Sequence, residues 1–207
     1  MGQVVLVRHG QASFGTDDYD ALSPLGELQA ELVGRALGGL RPGLVLHGSL
    51  RRQRRTAEIA AKTAGWDAPV ECDERWDEFE LTGAAARMAS RGPDAVSAFQ
   101  RWYEQAIDRW LAGEHEPGDE SRADFESRVS AALRRAAEVP TAVVFTSGGP
   151  VATIAAELVD GGASAFRRLM PAMVNTSVTQ VVSGRRGFTL VSWNFHQHLA
   201  REQVRYR

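Results

Sequence analysis

The sequence predicts an α/β protein, a three-layer α/β/α sandwich around a mostly parallel central sheet. Three observations carry that reading. Two apolar runs, Val4-Val5-Leu6-Val7 and Ala142-Val143-Val144-Phe145, contain no polar residue, as befits strands covered on both faces. Helical spacing follows each run, so strand and helix alternate along the chain. Both runs also end in residues suited to a site, Arg8-His9-Gly10 and Ser147-Gly148-Gly149, and ligands bind at the carboxyl ends of strands in such sheets.

Composition bounds the rest. With 207 residues the chain makes one ordinary domain, or one domain carrying an insertion, and 43% hydrophobic against 24% charged residues place it among globular proteins. A net charge of -2 offers no general attraction for nucleic acid or for a membrane surface. The single cysteine, Cys72, excludes an internal disulfide and a four-thiolate metal site, which points to a reducing, cytoplasmic setting. No stretch approaches the roughly 20 apolar residues that span a bilayer.

Taken in order, the first strand delivers Arg8 and His9 to its end. Arg is always charged and grips phosphate or carboxylate in two places; His can serve as nucleophile or base near neutral pH. Gly10 is expected to let the backbone turn close to a ligand. The plainer reading of the same three residues is a strand ending in a solvated Arg and a hydrogen-bonded His. Residues 14–22 are polar and turn-like. Ser23 as N-cap and Pro24 at the first helical position open a helix, in which Leu25, Leu28, Leu32, Val33, Ala36 and Leu37 recur at helical spacing up to Gly38-Gly39.

Gly43 to His47 reads as a second strand, followed by Ser49-Leu50-Arg51-Arg52-Gln53-Arg54-Arg55-Thr56-Ala57, which opens a helix. Four arginines at a helix N-terminus oppose its dipole, so something negative must offset them. A solvated face, a bound phosphate and, less well, a nucleic-acid patch are the three readings. Pro69 to Cys72 is a third, short strand. Five carboxylates then crowd into Asp73 to Glu80, and one held beside Trp76 and Phe79 is a proton donor in prospect, because burial raises a carboxyl pKa.

A loop or short helix is expected from Leu81 to Arg91. Residues 94–112 form an amphipathic helix with Val96, Phe99, Trp102, Tyr103, Ala106, Ile107, Trp110 and Leu111 facing the core. Another helix runs from Glu120 to Glu138 with Phe125, Val129, Ala132, Leu133 and Ala136 inward. The strand Thr141 to Thr146 leads through glycines to a helix Val151 to Val159, with Pro150 at its first position and free N–H groups aimed above the sheet. Thr176–Val182 and Phe188–Trp193 pair as a hairpin. His196 and His198 in the tail lie within reach of the site but lack the spacing of a metal site.

Together these segments resemble the histidine phosphatase superfamily, also called phosphoglycerate mutase-like. Leu6-Val7-Arg8-His9-Gly10 is similar to its Arg-His-Gly motif, Leu22 to Ala30 to the helix that follows, and Ser49 to Ala57 to the segment with its second arginine, here Arg52. Trp76-Asp77-Glu78 stands where the family carries its acid, which makes that residue Glu78. The resemblance implies a single domain over residues 1–207 with a variable, mainly helical insertion at about 80–118, in which Arg87, Arg91 and Trp102 are candidates for substrate choice. It also implies a phosphatase for a small phosphomonoester, with His9 as nucleophile, Arg8 and Arg52 on the phosphoryl oxygens, Glu78 as proton donor and no metal or other cofactor. Weaker likenesses run from Gly118 to Val129 and at His198-Leu199.

One departure stands out. The family's second histidine, in a Ser-His-Gly context, falls on Gly148, so the phosphate pocket lacks a side-chain donor there; the N–H groups of Gly148 and Gly149 on the phosphate, or else His196 or His198, are the candidate substitutes. That leaves a slow enzyme, a binder of phosphorylated ligands that turns nothing over, or a phosphoglycerate-type mutase as the functions to separate.

Overall fold

The structure, a computed structural model, describes residues 2–13, 20–81 and 95–206. Its elements are β1 (Gly2–Arg8), α1 (Pro24–Leu37), β2 (Leu44–His47), α2 (Arg51–Ala64), β3 (Val70–Cys72), α3 (Ala95–Leu111), α4 (Arg122–Ala136), β4 (Thr141–Thr146), α5 (Gly148–Leu158), α6 (Gly162–Leu169), β5 (Val178–Gly184) and β6 (Gly187–Phe195). The expected loop or short helix beyond Leu81, with Arg87 and Arg91, and most of the polar turn before Asp20 lie outside the described residues.

The described strands form one sheet of six in the order β3-β2-β4-β1-β5-β6. β3, β2, β4 and β1 pair in parallel; β5 is antiparallel to both β1 and β6, so it alone runs in reverse. Val4 to Val7 and Ala142 to Phe145 are fully buried, as central strands with both faces covered must be. On one face Val5, Val7, Val45 and Val143 meet Val33, Leu37, Ala57 and Ala60 of α1 and α2. On the other, Val4, Leu6, Leu46 and Val144 meet Phe125, Val129, Val151 and Trp110 from α4, α5 and α3. The layers are therefore helix, sheet, helix.

Local chemistry explains most boundaries. Ser23 caps α1 by accepting from the Gly26 N–H at 3.1 Å, with Pro24 in the first turn. The buried stripe of α1 is not the expected leucine stripe, however. Gly26, Ala30, Val33, Gly34 and Leu37 face inward, whereas Leu28 and Ala36 are exposed. Small residues win because α1 packs directly on α2: a Cβ on Gly34 would lie 2.6 Å from the Ala60 carbonyl oxygen.

Two further boundaries differ from expectation. α4 starts at Arg122, capped by Ser121, and keeps all five predicted inward residues buried. α5 starts three residues early, at Gly148, so Pro150 occupies the third helical position, whose N–H no helix bond needs. The short helix α6, which was not among the expected elements, follows α5 and buries Phe166.

Candidate active site

His9 follows directly on β1 and is only 6% exposed. Its backbone is locked on three sides: its N–H donates to Thr146 O at 2.8 Å, and its carbonyl accepts from Asn175 Nδ2 at 3.2 Å and from the Thr176 N–H at 3.3 Å. The ring Nδ1 lies 2.7 Å from Gly10 O. A carbonyl oxygen can only accept, so Nδ1 carries the proton and Nε2 presents its lone pair. Burial, and then the charges of Arg52 and Arg8, hold the His9 pKa well below its ordinary value. His9 is thus neutral with its nucleophilic nitrogen facing the arginines.

Arg52 reaches that nitrogen from the first turn of α2, its Nε donating to His9 Nε2 at 3.2 Å. Its Nη1 is held by Asp20 Oδ1 at 2.6 Å, while Asp20 Oδ2 accepts from the Arg51 N–H at 2.8 Å. This carboxylate supplies the negative charge that the arginine-rich helix start requires. Glu27 pairs with Arg55 at 2.9 Å and Glu58 lies 3.7 Å from Arg54, so no phosphate is needed to explain the run. Arg8, at the end of β1, is anchored by its Nη1 to the carbonyls of Met173 and, at 3.1 Å, Tyr206.

Glu78 lies just beyond a short 3-10 turn, Glu74–Trp76. Its carboxylate accepts from the Gly149 N–H at 3.1 Å and the Phe79 N–H at 3.2 Å. Burial raises its pKa, against these two bonds and the nearby charges of Arg52 and Arg8. A Cβ on Gly149 would fall 1.9 Å from Glu78 Oε1, so only glycine lets the acid lie against the start of α5. His9, Arg8, Arg52 and Glu78, separated by up to 70 positions in the sequence, thus lie at the carboxyl ends of β1 and β4: Arg52 bonds His9, while Arg8 and Glu78 both lie against the start of α5.

Residues 4–196 match the histidine phosphatase superfamily (branch 1). The chain belongs to this family. A probable phosphoglycerate mutase, GpmB, of Salmonella paratyphi C is 32% identical over 147 residues, covering 68% of this chain and 65% of that one. The chain thus spans about two thirds of the length of the curated relatives that it matches. Among solved structures, mycobacterial glucosyl-3-phosphoglycerate phosphatase superposes with a TM-score of 0.70 at 24% identity, covering 95% of this chain and all (100%) of that one. A phosphoserine phosphatase of Entamoeba histolytica gives 0.72 at 22% identity (97% and 100% covered), and Bacillus stearothermophilus YhfR 0.77 at 22% (96% and 99%). These likenesses establish the fold.

Within this histidine phosphatase chain, Gly148 opens α5 beside Arg8. A Cβ there would meet only Arg8 Nε, at 3.8 Å, an ordinary contact. The neighbouring Gly149 N–H, expected to face a ligand, is taken by Glu78. Gly10 also has a different reason from the one expected: a Cβ on it would strike Gly26 O at 2.4 Å, so it serves the approach of α1 to the strand end.

Of the tail histidines, His198 supports the backbone beside His9 at one remove. Thr176 adopts the left-handed region, at φ 58, which is strained for a β-branched residue. Its N–H bonds to Arg8 O at 3.0 Å, and its hydroxyl donates to Asn175 O at 2.7 Å and so accepts from His198 Nε2 at 3.2 Å. His198 is pushed down to about 4 by burial and by His196, which keeps it a neutral donor. His196 turns to Asn194 O, at 2.6 Å. Asp20, Asn175 and Thr176 escaped sequence reasoning, since a lone polar residue in a loop carries no periodic signal.

Proposed function

We propose that the protein is a phosphatase for a small phosphomonoester, working in the cytoplasm through a phosphohistidine at His9, with arginines in the role that a metal plays elsewhere. The observation that carries this reading is the gathering at the strand ends of a buried histidine, its Nδ1 held by Gly10 O and its Nε2 facing Arg52, and a buried carboxyl seated on the Gly149 N–H, with burial lowering the pKa of the first and raising that of the second. The His9 Nε2 lone pair attacks phosphorus in line, and the bond to the ester oxygen breaks. Glu78 gives that oxygen its proton. Arg8 and Arg52 neutralise the charge on the phosphoryl oxygens throughout. In the second half Glu78, now a carboxylate, takes a proton from water, the water oxygen attacks phosphorus, and the P–N bond breaks to free phosphate.

Incubation with p-nitrophenyl phosphate tests it. Turnover is expected, with an acid-labile adduct on His9 that His9→Ala abolishes; neither turnover nor adduct would end the reading. The pH profile of kcat/KM should persist below the ordinary histidine range, since His9 stays neutral there, and decline on the basic side as Glu78 ionises.

A specific observation favours a second reading, a binder of phosphorylated ligands. Gly148 contributes no side-chain donor, and one missing donor costs about 10²–10³ in rate. Gly148→His should raise turnover, a Cβ there making only an ordinary contact with Arg8 Nε at 3.8 Å; tight phosphate binding without any gain would favour the binder. The probable phosphoglycerate mutase among the relatives makes a mutase the enzymatic alternative, which product analysis with phosphoglycerate separates.

A further inference from the structure

We infer that Arg128, on α4, is a positioning residue that holds the Glu78 backbone where its carboxyl can serve the reacting phosphoryl group. The inference rests on the reading of Glu78 as proton donor. Glu78 sits in irregular chain, where neither helix nor strand fixes it, yet every carbonyl from Arg75 to Glu78 is occupied. Arg128 Nη1 donates to Arg75 O at 2.9 Å and Asp77 O at 2.8 Å, and Nη2 reaches Glu78 O at 3.4 Å. The fourth carbonyl, Trp76 O, accepts from Thr146 Oγ1 at 2.5 Å and Gln53 Nε2 at 3.2 Å. One guanidinium thus spans three of four successive carbonyls, directly behind the acid.

Arg128 is itself immobilised. Glu120 grips its Nε at 2.5 Å and Nη2 at 2.8 Å, and Phe125 stacks below with its ring centroid 4.6 Å from the guanidinium carbon. Five donors in a rigid plane are needed for such an arrangement, which a lysine ammonium on a flexible stem cannot reproduce. Glu120 also offsets the charge, so Arg128 acts on the position of Glu78 through the backbone. A misplacement of about 1 Å at a reacting group costs on the order of 10²-fold.

Arg128→Lys tests this because it keeps the charge and loses the plane; Glu120→Gln, which frees Arg128, is the second variant in case the first folds poorly. kcat/KM is compared for an alkyl phosphate, whose leaving oxygen needs a proton, and for p-nitrophenyl phosphate, whose leaving group departs without one. The loss with the alkyl ester should exceed the loss with the aryl ester by about 10-fold or more, within the 10²–10⁴ that general acid catalysis supplies. Equal losses, or none, in both variants would overturn the inference. If the parent protein turns over neither ester, the proposed function fails, and a carbon-13 titration of Glu78 decides the inference alone. A fall toward the ordinary carboxyl range in the variants, as water enters, supports it; an unchanged Glu78 overturns it.

Discussion

At Gly149 a single hydrogen atom decides whether the Glu78 carboxyl keeps its place. Its N–H bonds the Glu78 carboxylate at 3.1 Å, while a Cβ would overlap that carboxylate and lie 2.8 Å from the Phe79 ring. The obstructing carboxylate is the far end of a flexible side chain, so Gly149→Ala is expected to move Glu78 and leave the fold standing. kcat/KM for an alkyl phosphate should fall by roughly 10²-fold, with cooperative unfolding retained; steady-state kinetics beside a thermal melt checks both. Legibility at this scale was uneven. Arg8 and His9 showed because an apolar run ended in them, and a run is a local signal. Arg52 and Glu78 were one arginine among four and one carboxylate among five, chosen through the family resemblance. Asp20 and Arg128 were invisible, because what distinguishes them is a contact with chain 31 to 53 positions away.

Among the elements, α1 and α2 show size outweighing hydrophobicity. The leucines of α1 promised a greasy stripe, but close approach to α2 placed Gly34 and Ala30 inward and left Leu28 39% exposed. Gly34→Ala measures how tight the approach is. Helix propensity favours alanine by about 1 kcal/mol, whereas the new methyl would meet backbone atoms of Ala60 at 2.6 and 2.9 Å. Overpacking of this kind costs about 1–3 kcal/mol, so net destabilisation is expected in urea unfolding, and a stabilised variant would show that the helices separate freely. The central strands β1, β2 and β4 were legible almost to the residue, since burial on both faces writes itself as an uninterrupted apolar run, whereas β5 runs over Val178–Gly184, two residues beyond the expected Thr176–Val182, Thr176 itself lying in the left-handed region. Helix starts were less so. α5 begins at Gly148 because Glu78 takes the Gly149 N–H, a bond that no property of glycine or proline predicts.

Across the whole molecule the end of the chain closes on its beginning. Tyr206 O accepts from Arg8, Arg205 O from the Asn175 N–H, and His198 props the strained Thr176 beneath His9. The ring Nδ1 of His198 is buried without a hydrogen-bond partner among the described residues, consistent with a neutral ring. With its folded pKa near 4 and its unfolded value near 6.5, the unfolded chain binds the extra proton between those pH values. His198 therefore contributes stability that is full above pH 6.5 and is lost as pH falls toward about 4. Urea unfolding over a pH series should show a shallower acid loss in His198→Gln than in the parent, and identical slopes would refute the coupling.

The sequence by itself determined the alternation of strand and helix, the buried central strands and the placing of Arg8 and His9 at a strand end. Each of these follows from periodicity or from one residue and its neighbours. Only the tertiary structure decided that Asp20 offsets the arginines, that Gly149 and Arg128 seat Glu78 from two sides, and that the tail braces His9. These are hydrogen bonds and close approaches between segments far apart in the chain, and their strength depends on distances of a few ångströms that no linear pattern encodes.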